Sequence, residues 1–197
     1  GLSNIGGEML QKGLTQLVDA EMLYQRGRPP RAHYVFKHAL VKDAAYNSLL
    51  RRQRQQYHRQ VAELLETNSP DVVEAHPELL AHHYSEADIA DRAVDYWQLA
   101  GQRAIERSAN AEAIAHLYFA IDAIGTLPAS GNTAQRELKL QTMLAGPLIA
   151  TKGYGAPESA AVFTRALELS KQVNDPSLMF PVLYQQWVFN LIGSRID

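Results

Sequence analysis

Apolar residues recur at helical spacing along nearly the whole chain. Met9, Leu10, Leu14, Leu17 and Val18 form one stripe, and Tyr57, Val61, Leu64 and Leu65 a second. Leu79, Leu80, His83, Tyr84 and Ala87 follow, then Ala93, Val94, Trp97, Ala100, Ala104 and Ile105. Ala113, Ile114, Leu117, Tyr118, Ile121 and Ile124 continue the series. Each set falls on one face of an α-helical period, so the chain reads as a train of amphipathic helices. The breaks fit that reading. Pro77-Glu78, Pro157-Glu158 and Asp175-Pro176 predict helix starts, because proline in a first turn loses no hydrogen bond and an acid there meets the positive end of the dipole. Gly153 and Gly155 predict a helix end or turn. Pro147 and Pro181 fall inside apolar periodic segments and predict kinks or splits.

One stretch reads as strand. Met22-Leu23-Tyr24 and His33-Tyr34-Val35-Phe36 flank the Gly/Pro-containing run from Arg26 to Arg31, which suggests a short β-hairpin. Helices before and after it make a winged-helix-like arrangement. The pattern lapses into polar residues at Asn68-Ser69-Pro70, so the expected division is a winged-helix-like unit over 1–68 and a helical region over 69–197. The expected fold is mainly α, with stacked helical hairpins after that small unit.

From Pro77 onward the spacing resembles tetratricopeptide repeats, in which small residues let paired helices approach closely. Trp97, Gly101, Ala113 and Ala120 fall at template positions, with Ala100 and Ala104 replacing a leucine and a tyrosine and Pro128 a few residues late. A rival register, one helix earlier, uses Leu80, Ala81, Tyr84, Ala93, Trp97 and Ala100. The Trp97/Gly101 register is preferred. A second hairpin is expected from Gln135 to Val173, with Phe163 and Ala166 in its second helix, and a third begins near Pro176. The plainer reading is a helical bundle without repeats.

Composition narrows the chemistry. Hydrophobic residues make up 46% and charged residues 20% of the 197, enough apolar material for a core and against wholesale disorder. The formal net charge of −2 points to neither nucleic acid nor an anionic membrane. Absence of cysteine removes disulfides, thiolate catalysis and cysteine zinc sites, and is compatible with the cytoplasm. No apolar run suits a membrane helix and no leader pattern opens the sequence, which reads as part of something longer.

Motifs for phosphate loops, dinucleotide folds, nucleophile elbows and zinc helices are all missing. His82, His83 and Glu86, with His76 nearby, place two imidazoles and a carboxylate close together, but His83 falls on an apolar face and a packed-plus-solvated pair is the simpler reading. The basic run Arg51, Arg52, Arg54, His58 and Arg59 surrounds Tyr57. It follows the hairpin, whereas a winged helix reads DNA with the helix before it, so a solvated face is expected and DNA is not an expected partner. His38 stands where a strand gives way to a helix, a place that suits contact with an anion as well as simple capping. Tyr84, Trp97, Tyr118 and Tyr154 are candidates to line a groove for a protein or peptide, although aromatics in such stripes commonly belong to the core.

Several segments together carry a resemblance. They are Phe36-Lys-His-Ala-Leu-Val-Lys-Asp-Ala-Ala-Tyr46, Pro77-Glu-Leu-Leu-Ala-His-His-Tyr84, Ala100-Gly-Gln-Arg-Ala104, Ser108-Ala-Asn-Ala-Glu-Ala-Ile-Ala-His-Leu117 and Ala150-Thr-Lys-Gly-Tyr154. In this order they resemble the C-terminal half of bacterial multidomain adenylate/guanylate cyclase proteins, which join a cyclase domain, a signal-transduction P-loop ATPase with a winged helix, and tetratricopeptide repeats. The resemblance implies a regulatory, protein-interacting region with no catalytic residue, metal or cofactor of its own, whose partners are the other domains of the parent and an unidentified ligand. Related ATPases carry a Met-His-Asp motif whose histidine meets the nucleotide phosphate. Lys37-His38-Ala39 keeps only the histidine, so only His38 carries over, and only with the ATPase present. The alternative is the same region of an ATPase-linked transcriptional activator.

Overall fold

The computed structural model describes residues 7–29 and 32–173 together with Tyr184, Trp187 and Leu191. The described residues are mainly helical, with one two-stranded antiparallel sheet. The chain divides into two compact units, Gly1–Val61 and Ala62–Asp197.

In the first unit, helix α1 (Gly7–Asp19) ends on Glu21, which takes a left-handed φ of 59°. The Met22 and Glu21 N–H groups donate to the carbonyls of Leu17 (2.9 Å) and Val18 (3.0 Å), the paired bonds that close a helix when one residue turns left-handed. Strands β1 (Leu23–Arg26) and β2 (His33–Phe36) follow, with Leu23 opposite Phe36 and Arg26 opposite His33. The hairpin expected from the β-branched and aromatic residues is present, beginning one residue later than Met22. Gly27 leaves β1 at φ 84°, a conformation that favours glycine. Helix α2 (Ala39–Ser48) is followed by Leu49 in an extended conformation, which separates it from α3 (Arg51–Asn68). Tyr46 and His58 join these helices by a 3.0 Å hydrogen bond and an edge-to-face ring contact. Leu23 is the one fully buried side chain among the described residues 7–61.

The second unit continues from α3 into α4 (Pro70–Ala75), α5 (Pro77–Glu86), α6 (Ala90–Glu106), α7 (Asn110–Gly125), α8 (Gly131–Lys152) and α9 (Pro157–Val173). Pro77 and Pro157 open α5 and α9, as their first-turn chemistry predicts. Packing runs almost wholly between chain neighbours, α5 on α6, α6 on α7, α7 on α8 and α8 on α9, with a slight contact between α6 and α8. Small residues set the spacing. Ala81, Ala93, Ala100, Ala104, Ala113 and Ala120 are all buried, and Leu80, Val94, Leu117, Leu140, Leu144 and Phe163 fill the space between the backbones. Gly101 marks the tightest approach, because a Cβ there would lie 2.7 Å from Leu117 Cδ2.

The α5–α6 and α6–α7 turns are the same turn made twice. Asp88 (φ 61°) and Ser108 (φ 57°) go left-handed. Ile89 and Ala109 donate back to Tyr84 (2.9 Å) and Ala104 (2.8 Å), while Asp88 and Ser108 donate to Ser85 (3.0 Å) and Ile105 (2.9 Å). Side chains tie non-adjacent helices as well. Arg136 on α8 reaches Asp95 on α6 at 2.7 Å and also bonds Asp91. Glu66 on α3 accepts from the hydroxyls of Tyr84 (2.6 Å) and Tyr96 and from Arg92.

One expectation is narrowed. Pro147 does not split its segment, since α8 runs unbroken from Gly131 to Lys152. The ring is buried, so apolar burial opposes the loss of one helical hydrogen bond. The polar lapse at Asn68-Ser69-Pro70 is followed at once by a six-residue helix, α4, opened by Pro70. Pro181, Asp175-Pro176 and the third hairpin lie outside the described residues. Among the described residues no helix is long and apolar enough to cross a membrane.

Candidate functional site

Among the described residues, three helices of the second unit line a cleft of about 430 Å³ between α5, α6 and α7. Its apolar wall is Trp97 from α6 and Phe119 from α7, with ring centroids 4.8 Å apart and planes tilted by 38°. The two rings differ in role. Trp97 is only 8% exposed, whereas Phe119 is 51% exposed. The indole N–H donates to Ser85 Oγ on α5 at 2.9 Å, and that hydroxyl donates to the Ala81 carbonyl at 2.9 Å. The indole is therefore fixed in orientation with its polar group satisfied.

His116 stacks on the same indole, centroids 5.3 Å apart. Burial lowers its pKa, with Arg107 adding to the effect and Glu78 and Glu112 opposing it. Its Nδ1 is buried without a hydrogen-bond partner among the described residues. A neutral ring on the indole face follows.

Around the aromatic wall stand Glu86 at the end of α5, Asp88 in the following turn and Asp122 on α7. The described lining holds these three carboxylates, His82, and no lysine or arginine. The imbalance extends to the unit. Residues 62–197 carry seventeen acids against nine lysines and arginines, while residues 1–61 carry four against ten. A net charge of −2 conceals two oppositely charged halves.

The residues singled out from the sequence fall in different places. Trp97 lines the cleft. Tyr84 is buried, its ring stacked on Tyr96 at 5.7 Å and its hydroxyl held by Glu66. Burial pushes the pKa of Glu66 up, but hydrogen bonds from Tyr84 and Tyr96 and the Arg92 charge outweigh it and hold the carboxyl below its ordinary range. Tyr118 is 38% exposed and does not appear in the cleft wall, where its neighbour Phe119 stands instead. Tyr154 is half-buried in the α8–α9 connection. His38 occupies the N-cap of α2, exposed and without a side-chain capping bond, while its carbonyl accepts from Val41 at 3.1 Å.

His82 is exposed and His83 half-buried, with rings 5.7 Å apart. Among the described residues no three histidine or acidic side chains gather as a metal-binding group. The basic run forms the first turns of α3, and Arg54 lies 5.1 Å over the Tyr46 ring and 3.4 Å from Asn47 Oδ1. Phe119, Glu86, Asp88 and Asp122 were not singled out from the sequence for this cleft. The available signal was an aromatic at 119 standing just off the buried stripe of α7.

No protein-family model matches this chain, and no solved structure matches it. An uncharacterized protein of Rhizobium meliloti (strain 1021) is similar, 28% identical over 189 residues. The alignment takes in 95% of this chain and 18% of that protein, so the chain spans less than a fifth of the relative's length.

Proposed function

We propose that this chain is a non-catalytic regulatory and protein-interaction region of a larger bacterial signalling protein. In this reading α5–α9 are tetratricopeptide-like hairpins, preceded by a winged-helix-like unit. The parent is of the kind that couples a signal-transduction ATPase to a nucleotide cyclase. Neighbour-on-neighbour packing of α5–α9 carries the reading, since stacked helical hairpins extend in one dimension and present a surface for ligands. The close approach of Gly101 to Leu117 supports the register that pairs α6 with α7, while the repeated left-handed turn at Asp88 and Ser108 is common to both registers. A bacterial relative in which the aligned segment is 18% of the length agrees with a role as one part of a larger machine.

The test uses the isolated chain and the longer polypeptide that contains it. The isolated chain is expected neither to hydrolyse ATP nor to form cyclic nucleotides, while deleting residues 77–173 from the longer protein changes its output. Turnover by the isolated chain, or an output indifferent to the deletion, overturns the proposal.

A further inference from the structure

The cleft between α5, α6 and α7 combines features that select a particular ligand chemistry. One wall is aromatic and held rigid: Trp97 is fixed by its bond to Ser85, and Phe119 stands half in solvent beside it. The rim carries Glu86, Asp88 and Asp122, and no described lining residue is a lysine or arginine. An anion meets three carboxylates there. A purely aliphatic side chain covers the aromatic wall but strips water from the rim without compensating it. A planar cation satisfies both surfaces, because the face of an aromatic ring attracts positive charge and carboxylates accept its N–H groups. Arginine fits better than lysine, as its flat, weakly hydrated guanidinium can lie against a ring while its edge bonds an acid. At about 430 Å³ the cleft lies in the size range of small-ligand pockets.

We propose that this cleft is a docking site for an arginine side chain presented by a basic peptide segment of a partner protein. The inference deepens the reading of α5–α9 as an interaction surface and rests on it. The guanidinium lies against Phe119 with Trp97 beneath, and Asp122, Glu86 and Asp88 supply the complementary charge. The acidic excess of residues 62–197 extends that complementarity beyond the cleft and favours flanking basic residues in the same segment.

The test titrates the isotopically labelled 197-residue chain with a short glycine–serine peptide carrying one central arginine, beside three controls with lysine, citrulline or glutamate at that position. The readout is the indole N–H resonance of Trp97, assigned with a Trp97→Phe variant. The arginine peptide is expected to shift this resonance in a saturable, salt-sensitive way. Lysine binds several-fold more weakly, and the citrulline and glutamate peptides do not bind. Asp122→Lys weakens arginine binding by about tenfold or more, since it replaces attraction with repulsion. Phe119→Ala, at an exposed position, weakens it while the melting temperature stays close to that of the parent chain. Equal binding of the citrulline peptide, or full binding by Asp122→Lys, overturns the proposal. Free arginine amide binding as tightly as the peptide, with flanking lysines adding nothing, overturns the peptide assignment in favour of a small cationic ligand. Output of the longer protein separates the two levels. If Phe119→Ala alters output while no arginine peptide binds, the docking chemistry is wrong and the regulatory reading stands. If the peptide binds and output never responds, the reverse holds.

Discussion

At Gly101 the geometry decides the sign of a substitution that local propensity would get wrong. Alanine in place of a mid-helix glycine normally adds about 1 kcal/mol. Here the new methyl would lie 2.7 Å from Leu117 Cδ2 and 2.8 Å from its Cγ, and Leu117 is completely buried. Overpacking of that kind costs roughly 1–3 kcal/mol, so Gly101→Ala is expected to lower the urea midpoint. In a Leu117→Ala background the same change becomes neutral or stabilising, and a double-mutant cycle measures the coupling. Glu66 gives a second residue-level test. Its carboxyl is held below the ordinary value, so it contributes stability above the unfolded-state pKa, and that contribution is lost as pH falls through the lower folded value. Glu66→Gln should therefore destabilise at neutral pH. The gap between the two proteins should narrow on acidification below about pH 4.5, followed by thermal melts. A gap that stays constant across that window would show that the charge on Glu66 is irrelevant.

Among the elements, α8 has the best-defined start. The Ser130 hydroxyl accepts from the Thr133 N–H at 3.1 Å, and Thr133 Oγ1 accepts from the Ser130 N–H at 2.8 Å. Ser130→Ala removes one half of this reciprocal pair and is expected to cost about 1 kcal/mol, with faster amide exchange in the first turn of α8. Much of the element order was legible, because it depends on local chemistry. Apolar periodicity located α5, α6 and α7, first-turn prolines located α5 and α9, and the flanking β-branched and aromatic residues located the hairpin. What was not legible depends on tertiary compensation. Pro147 looks like a break until its ring is seen to be buried within α8. The α5–α6 and α6–α7 turns were equally hidden, as left-handed Asp88 and Ser108 lack the glycine that usually announces such a cap.

For the whole molecule, the division of charge is a count that the sequence already holds, whereas the cleft emerges only once α5, α6 and α7 are packed together. Trp97 was visible as a candidate, but its partners come from three elements: Ser85 and Glu86 on α5, Asp88 in a turn, Phe119 and Asp122 on α7. No spacing rule joins positions 86 and 122. Tyr84 illustrates the opposite limit, since sequence cannot distinguish a groove aromatic from a buried one whose hydroxyl is claimed by a half-buried carboxylate. His38 is the last such residue, and under the proposed function its role belongs to the larger protein. It is exposed at the N-cap of α2 and makes no side-chain capping bond, so His38→Ala should leave the melting temperature of this chain nearly unchanged. With no phosphate loop in its sequence, the chain should also give no measurable heat with ATP in calorimetry. In the longer protein the same substitution is expected to change nucleotide retention or basal output, because one N-terminal helix cap contributes usefully to phosphate binding only beside a domain that already holds the nucleotide. A large drop in melting temperature for His38→Ala in this chain would assign the histidine to packing and remove the nucleotide role.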